Sequence, residues 1–315
     1  MNDPRPPRFG VELYTFADPA FWGLSGADEL ARRGADAPRA LWDRVLDLLD
    51  ESGATAFEVG GAPFDRGTAV AAYGSVDALS EVLAERGLSL SGAYLPELED
   101  PACYAGRGTT ALLEETRTHV DFLAEIGATW LIGSVPPRTT RGQGRTRFVG
   151  IGEVERQAEV LHEVGLIAHR GGIRFGLHTE SHSGMWLERD IDLYMLATDP
   201  FYVGLCPDAG HILLGGGDPV AVASRHRQRL VAAHWKDATG PISWDLRIDE
   251  TVYEHHRELC RIPGAGIVDW AAWSSVMAQA GLTDPVLIEI DASPRPIADV
   301  RAAIDHLAPI VAPLR

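Results

Sequence analysis

The chain has 315 residues, of which 28 are basic and 45 are acidic, so its formal net charge is −17. A negative field of this size repels phosphate backbones and anionic lipid surfaces, which argues against nucleic acid as a partner. No run of about 18 apolar residues occurs, so we expect no membrane span. Hydrophobic residues make up 45% of the chain, which is enough for a large core.

The N-terminal segment, residues 1–8, lacks the apolar stretch of a signal peptide, and we expect it to be a short disordered lead. The three cysteines, Cys103, Cys206 and Cys260, are odd in number and scattered along the sequence. This usage is typical of a reduced compartment, so we predict a cytoplasmic protein.

Eight strand-like runs, each followed by a helix-like run, can be traced in chain order. The strand-like runs are continuously apolar, as in parallel strands covered on both faces, and span residues 9–15, 55–59, 88–95, 128–133, 173–178, 202–206, 230–235 and 286–290. The helix-like runs span residues 38–52, 75–86, 109–126, 154–170, 189–197, 219–226, 269–280 and 294–312. Glycines such as Gly53, Gly87 and Gly127 follow several of these helices, where a left-handed residue often ends a helix.

Residues 9–315 are therefore predicted to form one α/β domain, a single (β/α)8 TIM barrel. A doubly wound sheet is the alternative, and it is less favoured because no glycine-rich phosphate turn follows the first strand. Two connections, residues 16–37 and 238–268, are longer than usual. We expect such long βα loops to cover the C-terminal face of the barrel. We interpret His255-His256 as a surface pair on a covering helix.

Four runs in the second half of the chain end on residues that bind divalent metals. Each follows a predicted strand, and the four residues are Glu180, Asp208, His234 and Glu289. The steps between them are 28, 26 and 55 residues, and the first two are about one βα unit long. A barrel that delivers one ligand from each of four strand ends would show this spacing.

The same half of the chain resembles a known family. The resemblance lies in the runs Asp208-Ala-Gly-His211, Gly216-Gly-Asp-Pro219, His234-Trp-Lys-Asp237, Ile262-Pro-Gly-Ala-Gly-Ile-Val-Asp-Trp270 and Leu287-Ile-Glu-Ile-Asp291. These are similar to the sugar isomerase/epimerase superfamily of xylose isomerase-like TIM barrels, and within it to the inosose (2-keto-myo-inositol) dehydratases. Those dehydratases have a His-rich run with Met-Gly at the fifth strand. This chain has Glu180-Ser-His-Ser-Gly184, which is more similar to the epimerases.

The resemblance implies one divalent metal held by Glu180, Asp208, His234 and Glu289. Three carboxylates and one imidazole suit Mn²⁺ best, with Mg²⁺, Co²⁺ or Zn²⁺ as alternatives. The implied reaction is removal of a proton α to the carbonyl of a keto-sugar or keto-cyclitol, with the metal stabilising the enediolate. Candidate catalytic residues, including the base, are Glu180, Glu289, His178, His182 and His211.

Two outcomes of this chemistry stay open. Return of the proton to another face or carbon makes the protein an isomerase or epimerase, whereas loss of a β substituent makes it a dehydratase or lyase. Candidate substrate contacts are Glu58, Tyr94, Lys236, Trp186 and Arg257. For two of them a structural role is the alternative, namely an ion pair at the barrel rim for Glu58 and pairing with a carboxylate for Lys236. The remoter alternatives are an apurinic endonuclease, disfavoured by charge and by the absence of histidine at the second and third strand ends, and a non-catalytic sugar-binding barrel. By analogy, the chain forms a homo-oligomer.

Overall fold

A computed structural model of the protein describes residues 7–141, 145–243, 246–249 and 251–314. Its central sheet contains eight parallel strands, each within a predicted run. They are β1 (Phe9–Glu12), β2 (Ala56–Val59), β3 (Ser89–Tyr94), β4 (Trp130–Gly133), β5 (Arg174–His178), β6 (Gly204–Cys206), β7 (His234–Trp235) and β8 (Val286–Ile288). Their buried apolar side chains explain the continuous rather than alternating sequence pattern.

The hydrogen-bonded strand order is β6-β5-β4-β3-β2-β1-β8-β7. Bridges between Leu205 and Leu230 and between Asp208 and His234 connect the two ends of this order, so the sheet nearly closes on itself. The predicted single (β/α)8 barrel is confirmed. Because all eight strands are parallel, their C-terminal ends meet at one rim, which is where barrel enzymes place their chemistry.

Helices alternate with the strands around the outside of the barrel. Those in the described part of the chain are α1 (Ala27–Asp36), α2 (Pro38–Ser52), α3 (Arg66–Tyr73), α4 (Val76–Arg86), α5 (Arg107–Ile126), α6 (Ile151–Arg170), α7 (Glu188–Ala197), α8 (Ala209–Leu214), α9 (Pro219–Arg225), α10 (Val252–Leu259), α11 (Trp270–Gln279) and α12 (Pro296–Val311). Among these residues, no helix combines the length and the apolar character that a bilayer crossing requires.

Helix α2 illustrates how local sequence determines these elements. Pro38 occupies the first turn, where backbone N–H groups have no partner within the helix, so the N–H that proline lacks costs no hydrogen bond. Leu41, Val45 and Leu49 recur every four residues and are fully buried. Burying each side chain stabilises the fold by roughly 1.5–3 kcal/mol. Gly53 ends the helix with a φ of 83°, a left-handed conformation that glycine adopts without strain. Periodicity and caps therefore both support the predicted boundaries.

The second long connection is anchored by the buried carboxylate of Asp237. This carboxylate accepts hydrogen bonds from the backbone N–H groups of Gly264, Gly266 and Val268 and from the Trp270 indole, at 2.9 to 3.1 Å. Satisfied in this way, the charge can remain buried. Asp237–Ala238 also pairs antiparallel with Cys260–Arg261, the segment that directly follows α10, and this pairing strengthens the anchor.

Most of the predicted N-terminal lead, residues 1–6, lies outside the described residues. Arg8 donates to Asp284 at 2.8 Å, so the chain contacts the barrel from this residue onward. Helices α1 and α10 lie within the two long connections, where no helix boundaries were predicted. Both helices are amphipathic but polar on average, so they lack the apolar content of the predicted barrel helices.

Candidate metal centre

Four metal-binding side chains meet at the C-terminal rim of the barrel. His178 ends β5, Asp208 follows β6, His234 begins β7 and Glu289 follows β8. All four are buried, and each offers one ligand atom within 4.8 Å of the others. Asp208 also caps α8 by accepting from the His211 backbone N–H at 2.8 Å through Oδ1, which leaves its second oxygen for another partner.

The unsatisfied atoms of this cluster fit a divalent ion. Both ring nitrogens of His178 and Oδ2 of Asp208 are buried without a hydrogen-bond partner among the described residues, and Nδ1 of His234 lies 2.5 Å from Oε2 of Glu289. The Nε2 atom of His178 lies 3.9 Å from Asp208 Oδ2 and 4.0 Å from Glu289 Oε2. Ligands about 2.1 Å from one ion stand up to about 4 Å apart, so these atoms could share one ion.

The structure brings together three of the four predicted ligands, with His178 as the fourth member. Glu180 lies outside the closest set, and its Oε2 is 3.5 Å from Nδ1 of His178. The Glu180 carboxylate is directed at His211 instead, with Oε1 3.3 Å from Nε2 of that ring. The sequence predicts three carboxylates and one imidazole, whereas the closest set in the structure offers two of each, which suits Zn²⁺ as well as Mn²⁺.

Glu58 contacts the metal cluster through the ring of His234. It was predicted as a substrate contact, but its side chain is fully buried and lies 3.0 Å from Nε2 of His234. The Trp130 indole donates to its other oxygen at 2.5 Å. Gly92 makes room for this arrangement, since a Cβ there would overlap the indole ring. With Nε2–H directed at Glu58, Nδ1 of His234 is left as the metal-binding nitrogen.

We expect Glu58→Gln to weaken metal binding by about 10- to 100-fold, because the neutral amide no longer favours the His234 tautomer that exposes Nδ1. Titration calorimetry with Mn²⁺ and Zn²⁺ measures this. Glu99→Gln is the matched control, since Glu99 lines the same cavity and contacts the Tyr94 hydroxyl rather than a ligand. Equal affinities of the Glu58→Gln variant and the wild type would contradict the role assigned to Glu58.

Lys236 was also predicted to bind substrate, yet its donors are already occupied. Its fully buried ammonium contacts Glu289 at 2.5 Å, Asp291 at 2.8 Å and Nε2 of His211 at 2.7 Å. An ammonium group has three N–H bonds and cannot accept, so Nε2 of His211 must be the acceptor. The proton of this imidazole is then on Nδ1, which lies 2.8 Å from the Ser181 hydroxyl. Lys236 therefore organises the site.

The pKa values of Glu180 and Glu289, the two glutamates near the centre, are shifted in opposite directions. Burial raises the pKa of Glu180 well above its ordinary value. Burial also acts upward on Glu289, but Lys236 and His234 outweigh it and hold the pKa of Glu289 well below the ordinary value. Burial lowers the pKa of Lys236, and Asp291 and Glu289 more than reverse this, so the lysine stays charged. The neighbours of Glu289 thus favour its anionic form, whereas burial favours the neutral form of Glu180.

A cavity of about 310 Å³ opens beside the metal cluster. Five of the other predicted site residues line it, namely Glu180, His211, Tyr94, Lys236 and Arg257. The described part of the lining does not include His182 or Trp186. The two rings pack against each other at 4.3 Å and are buried, so neither predicted role is supported by this geometry. His182 has a φ of 65°, a left-handed conformation that turns the chain away from the cavity after β5.

Sequence reasoning missed several residues of the cavity wall. Glu12, Glu99 and Asp291 contribute carboxylates, and α10 contributes Tyr253 and His256. The strand-end rule used for the metal ligands would have found Glu12, which ends β1. The prediction that His256 lies on the surface is wrong, because its side chain is only 2% exposed. Nothing in the local pattern distinguished it from its neighbour His255.

Comparison with known proteins agrees with this geometry. Residues 46–310 match the family described as xylose isomerase-like TIM barrel. An inosose dehydratase of Geobacillus thermodenitrificans is 25% identical over 224 residues, which cover 69% of this chain and 74% of that protein. The rhizopine catabolism protein MocC of Rhizobium meliloti is 27% identical over 304 residues, which cover 90% of this chain and 85% of that protein.

Solved structures share the fold at lower identity. A crystal structure of the IolI protein with a bound zinc atom superposes with a TM-score of 0.71 at 14% identity, covering 98% of this chain and 99% of that one. An L-ribulose 3-epimerase superposes with a TM-score of 0.65 at 16% identity, covering 98% and 96%. Together, the family match over most of the sequence, the closed barrel and its rim show that the chain belongs to the xylose isomerase-like TIM barrel family and is an enzyme of that superfamily.

Proposed function

We propose that this chain is a divalent-metal-dependent dehydratase that acts on a keto-cyclitol. It removes the proton α to the carbonyl and expels the hydroxyl β to it. The names of the relatives at 25% and 27% identity support cyclitol chemistry. The donor set of His178, Asp208, His234 and Glu289 supports a divalent ion. Mn²⁺ stays our first choice, with Zn²⁺, Mg²⁺ and Co²⁺ as alternatives.

One observation carries the mechanism, namely a carboxylate beside the metal cluster that is not part of it. A divalent ion in the cluster would polarise a substrate carbonyl and stabilise the enolate. Glu180 is about one-fifth exposed and lines the cavity, with Oε2 3.5 Å from His178 Nδ1 and Oε1 3.3 Å from His211 Nε2. It is therefore placed to take the α-proton. Lys236 keeps the neighbouring Glu289 ionised.

An isomerase or epimerase would begin with the same proton removal. We rank it second because the isomerase/epimerase structures with this fold are 16% to 18% identical, whereas an inosose dehydratase is 25% identical. We also propose that the protein is cytoplasmic and homo-oligomeric, in line with its cysteine usage and its family.

The test is incubation of the metal-loaded protein with 2-keto-myo-inositol in D₂O, followed by proton NMR. We expect deuterium at the α-carbon of remaining substrate and formation of an α,β-unsaturated hydroxyketone, which tautomerises to a 1,2-diketone, with loss of one water per turnover. Exchange without loss of water would transfer the assignment to an epimerase or isomerase. Absence of both processes with a panel of inososes and keto-sugars would overturn the proposal. Metal analysis beforehand should find about one ion per chain.

A further inference from the structure

His256 is a buried polar side chain that no role described above uses. It lies on α10, lines the cavity and is only 2% exposed. Its Nε2 atom is buried and has no hydrogen-bond partner among the described residues. A buried polar atom without a partner costs about 1–3 kcal/mol unless something satisfies it. The position of Nε2 at the cavity points to a ligand as that partner.

The orientation of this ring is fixed by its neighbour. The imidazole of His182 stacks on it with centroids 4.6 Å apart and planes at 11°. His182 in turn packs on Trp186 with ring centroids 4.3 Å apart. Helix α10 is thereby held against the loop after β5, the loop that also carries Glu180. The role of His182 in this arrangement is to position His256.

Glu180 and His256 can both hydrogen-bond to one oxygen atom in this part of the cavity, where Nε2 of His211 already accepts from Lys236. Glu180, His211 and His256 each offer an atom within 4.8 Å of the other two. Any three points this close fit a circle of radius about 2.8 Å, which is an ordinary hydrogen-bond length. A second cation is disfavoured because the Lys236 ammonium lies 2.7 Å from Nε2 of His211. A substrate hydroxyl carries no charge and fits the same space.

We propose that Nε2–H of His256 donates to the hydroxyl that leaves the substrate and holds that hydroxyl beside Glu180. The hydroxyl proton points to the carboxylate, which can only accept, so the imidazole must be the donor. This inference rests on the proposed function, since it assigns the β-hydroxyl of a keto-cyclitol to a place in the cavity.

The proton balance then closes on one carboxylate. Glu180 takes the proton from the α-carbon, and the electron pair of that C–H bond enters the enolate. The enolate re-forms the carbonyl as the C–O bond to the β-hydroxyl breaks. Glu180 returns its proton to the departing oxygen, water leaves and the carboxylate is regenerated. His256 stays neutral throughout and only donates a hydrogen bond. The proton is taken and returned on one face of the ring.

The test compares two rates in one experiment, α-proton exchange into remaining substrate and formation of the dehydrated ketone. His256→Phe keeps a ring that can stack on His182 but removes the donor. We expect the ratio of exchange to elimination to rise at least about tenfold in this variant, because only the second step loses a hydrogen bond. His256→Gln, which keeps an N–H donor, should restore part of the elimination rate.

His255→Phe is the matched control, since His255 is the partly exposed neighbour on the same helix, and it should keep the wild-type ratio. Circular dichroism and metal content confirm that each variant is folded and loaded. An equal fall of both rates in His256→Phe, or an unchanged ratio, would overturn the role of His256. A wild type that shows neither exchange nor elimination would instead overturn the proposed function, and the inference with it.

Discussion

Replacing Glu180 by Gln is expected to abolish turnover without removing the metal, whereas His178→Gln removes the metal as well. The carboxylate of Glu180 lies outside the set of four ligand atoms, so the amide removes a base and not a ligand. Loss of a general base typically lowers kcat by about 10²- to 10⁴-fold. Loss of the His178 ligand should weaken ion binding by more than about 100-fold, beyond the effect of losing a supporting carboxylate.

The measurement pairs metal content after dialysis with steady-state kinetics for the same preparations. Asp208→Asn is the positive control for metal loss, because Asp208 belongs to the set by both sequence and structure. A Glu180→Gln protein that loses its ion while His178→Gln keeps it would contradict the ligand set found here. It would restore the three-carboxylate site that the sequence predicts.

The largest effect on stability is expected from Lys236→Met. The change removes the ammonium that lies between the carboxylates of Glu289 and Asp291. Breaking a buried ion pair from one side costs about 3–5 kcal/mol, because the remaining charge has neither water nor a partner. We expect this loss in the free energy of unfolding of the metal-free protein, measured by urea denaturation. Saturating metal should recover part of it by binding the folded state.

Arg44→Met serves as the comparison for this prediction. Arg44 forms a 2.5 Å ion pair with Glu51, and the two side chains are 40% and 44% exposed. An exposed pair of this kind contributes about 0–1 kcal/mol, so its loss should change stability little. Equal stability of the Lys236→Met and Arg44→Met variants would contradict the stabilising role assigned to the ion pairs of Lys236 with Glu289 and Asp291.

The barrel itself could be predicted from sequence because each strand is an apolar run followed by an amphipathic helix. All eight observed strands fall within predicted runs, although β7 is reduced to His234–Trp235 from a run of six residues. Parallel strands buried on both faces must be apolar throughout, so the pattern is strong. The ends of a strand are less well determined, since they depend on hydrogen bonds to neighbouring strands.

His178 and Glu180 are two residues apart and would lie on the same side of an extended strand, so both are reasonable ligand candidates. Their contacts distinguish them. Nε2 of His178 lies 3.9 Å from Asp208 and 4.0 Å from Glu289, whereas Oε1 of Glu180 lies 3.3 Å from His211. Asp208 and His234 pose no such choice, because no other carboxylate or imidazole lies two residues from either of them.

The roles of Glu58, Lys236 and His256 depended on contacts between distant parts of the chain. Glu58 and His234 are 176 residues apart in sequence, and no local pattern indicates that they touch. Lys236 has three neighbours from two distant segments, Glu289 and Asp291 after β8 and His211 in α8. His256 lies in a connection whose position depends on the buried Asp237 anchor. Tertiary geometry of this kind is what a single sequence does not encode locally.

The anchoring of α10 also has a consequence for how such enzymes diversify. The candidate metal ligands lie at strand ends, whereas Tyr253, His256 and Arg257 reach the cavity from one short helical segment. Exchanging residues 252–259 for those of another family member, with Asp237 kept, should change which ring substituents are accepted and leave ion affinity intact. Catalysis and substrate selectivity would then depend on different parts of the chain. A new substrate preference could arise by changes in residues 252–259 while the residues at the strand ends stay the same.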